Sequence, residues 1–192
     1  MVDRAPAAAP PADRLHRSST TTLSRWRPPD AEQERLRQQF LDHLSNRRNG
    51  WARECRGAHL TASSLVCAPV QRLVLLTLHA RLGRWLQTGG HLEADDATIE
   101  DAALREAREE SGLSPLLLHP EPLLLSRHRL SCSGRPTDHL DVQFLVTAQT
   151  AGRPAFGEES LDVRWFAPDD LPETDASVVQ LVGAASRRLG WP

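Results

Sequence analysis

The stretch that most constrains this chain is Arg105-Glu106-Ala107-Arg108-Glu109-Glu110-Ser111-Gly112-Leu113, preceded at a short distance by Gly89-Gly90. On a helix, residues three and four apart share a face, so Glu106, Glu109 and Glu110 stand together. Like charges at that spacing repel. They also sit near the negative end of the helix dipole, just before Gly112 can stop the helix. Something has to compensate them, and a hard divalent cation such as Mg²⁺ does so, because it takes oxygen ligands and shares them with phosphates. Arg105 adjoins the cluster, and its planar fork can hold and orient a carboxylate. The Gly-Gly pair lets the backbone approach a ligand or metal without a Cβ in the way. A bare acidic helix face is ordinarily solvated surface. The whole frame is what singles this one out: Gly-Gly, an acid, a short loop, a capped helix, then R-E-x-x-E-E-x-G-L.

Around this frame the pattern predicts alternating strands and helices. Residues 1–25, rich in Pro, Ala, Arg, Ser and Thr, read as a mobile tail. A helix over about 30–46 is expected, with Asp30 as N-cap and Leu36, Phe40, Leu41 and Leu44 at helical spacing. Strands are expected at His59 to Ala68 and Arg72 to His79, with a short extended piece at Trp85 to Thr88. The central helix is expected over about 98–111, with Thr98 and Asp101 as its capping pair and Gly112 as its stop. Short apolar runs follow at Leu116 to Leu118 and Leu123 to Leu125. Further strands are expected at His139 to Ala148, where Leu140, Val142, Phe144 and Val146 alternate, and at Leu161 to Phe166. A last helix is expected over Asp175 to Leu189. This order suits one α/β domain over 26–192, with a mixed sheet and helices on its faces.

The frame resembles the Nudix box, G-x5-E-x7-R-E-U-x-E-E-x-G-U, where U is a bulky aliphatic residue. Gly90, Arg105, Glu106, Glu109, Glu110, Gly112 and Leu113 match it in register from the C-terminal end. Asp96 stands where the pattern has Glu, eight residues separate it from Arg105 in place of seven, and Ala107 is small for U. The loop departures leave the three glutamates of the metal-binding helix in register, so the box is a variant with a longer loop. His139-Leu-Asp-Val-Gln-Phe-Leu-Val and Glu158-Glu159-Ser160 leading into Val163-Arg-Trp-Phe-Ala-Pro-Asp-Asp-Leu-Pro are also similar to later elements of the family, so the likeness runs over roughly 60–190.

The resemblance implies a Nudix-type α/β/α sandwich with a mixed central sheet. It also implies hydrolysis of a diphosphate linkage in a small-molecule nucleoside-diphosphate derivative. By that resemblance Glu106, Glu109 and Glu110 bind Mg²⁺ or Mn²⁺, with the carbonyl of Gly89 completing the site. Arg105 orients a glutamate, and Glu109 or Glu159 takes the proton from water. Weaker expectations attach to Glu93 near the metal, His91, His128 and His139 at the pocket, and Trp85 against a base. For each of these a plain loop or packing role is the competing reading, and Trp165 reads as core. The alternative function is a non-catalytic nucleotide-binding module, which the intact glutamates argue against. An isomerase on the same fold would need a catalytic Cys, and the surroundings of Cys67 do not fit one.

Composition excludes more than it identifies. The net charge is −2 and every basic residue other than His is Arg, so no basic face for general nucleic-acid binding is expected. Three cysteines without a C-x-x-C pair read as reduced thiols in a cytoplasmic protein. No apolar run reaches the ~18–20 residues of a membrane helix. The helix near 30–46 has two readings, a cover for one side of the sheet or the contact of a homodimer. The particular substrate is not legible.

Overall fold

The computed structural model describes residues 11–132, 134–155, 157 and 160–192. Its helices are α1 (Pro11–Arg25), α2 (Ala31–Asn46), α3 (Ile99–Ser111) and α4 (Ala176–Leu189). Its strands are β1 (Ala58–Ala68), β2 (Leu73–His79), β3 (Arg84–Leu86), β4 (Thr88–His91), β5 (Leu116–Cys132), β6 (Arg135–Ala148) and β7 (Ser160–Phe166).

The strands form one mixed sheet in the order β3-β2-β1-β6-β5, with β4 also pairing β1 and β7 also pairing β2. β1 and β6 run parallel, while the other pairs are antiparallel. Period-two alternation assigns the two faces. Leu60, Ala62, Leu140, Val142 and Phe144 join Leu15, Leu23, Phe40, Leu44, Ile99 and Ala102 in a core beneath α1, α2 and α3. Leu65, Cys67 and Leu145 pack on the opposite face against Val178, Leu181, Val182 and Ala185 of α4. The result is the expected α/β/α sandwich. β1 is buried along nearly its whole length because both faces are covered.

Caps fix the helix that matters most. Thr98 accepts from the Asp101 N–H at 3.1 Å and donates to its carboxylate at 2.9 Å. Gly112 ends α3 in the left-handed region at φ 65°, where a residue with a Cβ is strained. Asp30 caps α2 by accepting from the Gln33 N–H at 2.8 Å.

Two expectations are corrected. Residues 11–25 are not a tail: they form α1, with Leu15, Ser19 and Leu23 fully buried. Thr22 donates to Glu100 at 2.5 Å, and Ser18 Oγ accepts the Ile99 N–H at 3.2 Å, so α1 docks on the start of α3. The buried stripe is one residue per turn and only Leu15 and Leu23 of it are apolar, too thin to stand out in a segment rich in Ala, Pro and Arg. Residues 1–10 lie outside the described residues. The two short runs after α3 are a single strand, β5, whose register against β6 shifts between His119 and Leu124.

Candidate active site

Helix α3 and strand β4 meet edge to face, and the acidic cluster lies at that junction. Glu106 packs on Gly90: a Cβ built there would sit 2.5 Å from the Glu106 Oε1 and 2.7 Å from its Cδ. Gly89 is tighter against its neighbour strand, where a Cβ would lie 2.6 Å from the Ser63 Cα. The Gly89 N–H donates to Glu110 at 3.2 Å, and the Thr77 hydroxyl donates to the same carboxylate at 3.3 Å. Glu106 and Glu110 are therefore drawn onto the glycine pair from one helix. Glu109, on the next helical position outward, is 57% exposed.

Arg105 binds this cluster together. Its Nη1 donates to Glu106 at 2.9 Å and to Glu109 at 3.1 Å. Its Nη2 donates to the His91 carbonyl at 2.9 Å, which ties α3 to the end of β4. On its other side it grips Asp96 through both carboxylate oxygens. Burial works against its charge, but the hydrogen bond with Asp96 and the neighbouring Glu106 outweigh that and raise its pKa. Asp96 is itself buried and accepts the Glu93 N–H at 2.8 Å, so it closes the loop and aims the arginine in one step. Glu93 reaches Arg105 only at 3.8 Å and is largely exposed.

The sequence reading thus has Glu106, Glu109, Glu110, Arg105 and Gly89 brought to one place. Glu159 lies outside the described residues, as does Glu158. Asp96, which stands where the box pattern has Glu, seats Arg105 with its carboxylate across the longer loop. Trp85 packs edge-on against Phe166 at 4.9 Å between centroids, with the Arg164 guanidinium 5.7 Å from its ring, so it serves packing here. Trp165 is half-buried and donates to the Gly152 carbonyl at 2.8 Å.

Beyond the sequence reading, the sheet face opposite α3 is polar along half its length. Asp141, nearly fully buried, accepts from Thr61 at 2.9 Å, from Ser63 at 2.7 Å and from Gln143 at 3.1 Å. Next to this network His59, His91 and His139 converge, with His128 edge-on behind His139. The sequence marks His91 and His139 only as separate pocket candidates and gives no local signal for His59. Only the register, which pairs His59 with His139 and Thr61 with His91, makes them neighbours.

An all-oxygen donor set of three carboxylates fits a hard divalent cation. Gly90, which leaves no Cβ between Glu106 and the β4 backbone, fits one as well.

The family model described as NUDIX domain matches residues 57–182. An oxidized purine nucleoside triphosphate hydrolase of Mus musculus is 34% identical over 115 residues, covering 58% of this chain and 69% of that protein. Among solved structures, a NUDIX family hydrolase of Clostridium perfringens is similar with a TM-score of 0.54 and 24% identity. It covers 68% of this chain and 97% of that one. An Ap4A hydrolase of C. elegans gives 0.55 and 17%, with the same coverage. These two likenesses speak to the fold.

Proposed function

The chain belongs to the Nudix family of pyrophosphohydrolases, and we propose that it hydrolyses a diphosphate linkage in a nucleoside-diphosphate derivative with the help of a divalent metal. The observation that carries this reading is the seating of Glu106 and Glu110 on Gly89-Gly90 by one capped helix, with Arg105 holding Glu109 beside Glu106.

Glu106, Glu109 and Glu110, with the Gly89 carbonyl, would hold Mg²⁺ or Mn²⁺. Such an ion neutralises charge on the diphosphate and its leaving group. The remaining work falls to the chain. Arg105 fixes Glu106 and Glu109 in orientation while Asp96 anchors it. Water adds to a phosphorus atom, the bridging P–O bond breaks towards the leaving phosphate, and the water's proton passes to a carboxylate. Glu109 suits that role because it is the exposed member of the cluster and is held by Arg105. Glu159 is the second candidate for the base.

The test is nucleotide or phosphate release from a panel of nucleoside-diphosphate derivatives, with and without Mg²⁺ or Mn²⁺. The panel starts with oxidised purine nucleoside triphosphates, which the mouse relative's name points to. Metal-dependent turnover that falls ~100-fold or more in Glu109→Gln supports the reading with Glu109 as base. Turnover that survives in Glu109→Gln and collapses in Glu159→Gln moves the base to Glu159. No turnover from folded protein across the panel overturns the proposal in favour of a nucleotide-binding module.

A further inference from the structure

Three imidazoles from three strands meet on the sheet face away from α3. His59 of β1 and His139 of β6 are register partners, and His91 of β4 pairs with Thr61, two residues along β1 from His59. Residues two apart share a strand face, so all three rings project the same way. Their centroids form a nearly equilateral triangle with sides of 5.0, 4.9 and 5.1 Å. One nitrogen from each lies within 4.8 Å of the others, and the His59 and His91 Nε2 atoms share a hydrogen bond of 3.1 Å, whose proton a bound cation would displace. Tetrahedral bonds of ~2.0–2.1 Å to a shared ion would place such nitrogens a little over ~3 Å apart.

Packing alone does not account for the trio. His59 and His139 are buried, and the His139 Nε2 has no hydrogen-bond partner among the described residues. A buried polar atom left unpaired in this way is destabilising unless a ligand satisfies it. Burial of the His59 and His139 rings disfavours the charged imidazolium, which cannot bind a cation. A neutral imidazole offers a lone pair, and the Cys55 carbonyl, 3.5 Å from the His59 Nδ1, favours the proton there and leaves Nε2 as the donor.

We propose that His59, His91 and His139 form a second metal site, selective for a first-row transition ion of the zinc type. Its nitrogen donors set it apart from the carboxylates of α3, which suit Mg²⁺. The two sites face opposite sides of the sheet, because Gly90 pairs with Ala62 on the α3 side and His91 with Thr61 on the other. Bound there, the ion ties β1, β4 and β6 together and satisfies the stranded His139 nitrogen. Three protein ligands leave a fourth position for water or a small anion.

The experiment uses the full chain, stripped of metal, titrated with Co²⁺ and Zn²⁺ in excess Mg²⁺. The expected result is one retained equivalent, with the visible bands of tetrahedral Co²⁺. That binding should persist in Glu106→Gln and weaken at least ~10–100-fold in His139→Gln and His59→Gln. Substoichiometric retention overturns the proposal, as does an equivalent lost in Glu106→Gln but kept in His139→Gln. X-ray absorption on the zinc-loaded wild-type chain decides the matter even if the histidine variants do not fold. An imidazole nitrogen shell supports the site, and a shell of oxygens alone overturns it.

Discussion

Arg105 grips Asp96 through two parallel bonds, Nε to Oδ1 at 3.0 Å and Nη2 to Oδ2 at 3.2 Å. Both donors on that edge of the guanidinium are thereby committed, and Nη1 is left facing Glu106 and Glu109. Asp96→Asn breaks the fork by setting an amide N–H against the arginine. We expect kcat to fall ~10–100-fold with KM little changed, since Asp96 acts through Arg105. Asp96→Glu, which keeps the charge, should recover part of the loss. Steady-state kinetics of the two variants check this, and a drop in KM-linked terms alone would count against a positioning role.

The two glycines should separate site damage from fold damage. At Gly90 a methyl group meets the carboxylate end of Glu106, a flexible side chain that can swing away. Gly90→Ala should therefore fold with a loss of about 1 kcal/mol or less. The displaced carboxylate should cost roughly 100-fold in turnover, as for a misplacement of about 1 Å. At Gly89 a methyl meets the Ser63 Cα at 2.6 Å and the Ala62 carbonyl oxygen at 2.9 Å, which are backbone and cannot yield. Gly89→Ala should lose about 1–3 kcal/mol of stability. Denaturant melts beside activity assays distinguish the pair.

Helix α1 is part of the core. Leu15 and Leu23 are fully buried, and Trp26 follows them at 5% exposure. Leu15→Ala and Leu23→Ala should each destabilise the protein by about 2–5 kcal/mol. Removing residues 1–25 should lower Tm sharply, whereas an inert tail would leave Tm unmoved.

Cys67 faces α4 with no exposed surface, and burial pushes its thiol up to about 12. A free thiol ionises near pH ~8.5. The proton is therefore held in the fold well above the pH at which the unfolded chain releases it. The stability this contributes is complete below the unfolded value and is lost as pH rises from there towards 12. At pH 8–9 iodoacetamide should leave Cys67 unmodified in the native protein and alkylate it on addition of denaturant. Peptide mass mapping reads the difference. Rapid alkylation without denaturant would show that the α4 face opens readily.

What the sequence by itself determined was local. The spacing of Glu106, Glu109 and Glu110 implies a shared helix face, Thr98 and Gly112 mark where α3 begins and ends, and the alternation of Leu140 to Val146 marks β6. Each signal lies within a few residues, because caps, helix faces and strand faces follow from backbone periodicity. The tertiary structure decided whatever depends on residues distant in the chain. Whether α1 is a tail or a buried helix turns on Leu15 and Leu23 finding Phe40, Ile99 and Phe144. That Asp96 holds Arg105 depends on how the longer loop folds back over α3. The meeting of His59, His91 and His139 depends on a parallel pairing of β1 with β6, across eighty residues by number, and an antiparallel pairing of β1 with β4. A slip of one residue in either register would turn one of these rings to the opposite face, so no local pattern could specify the cluster.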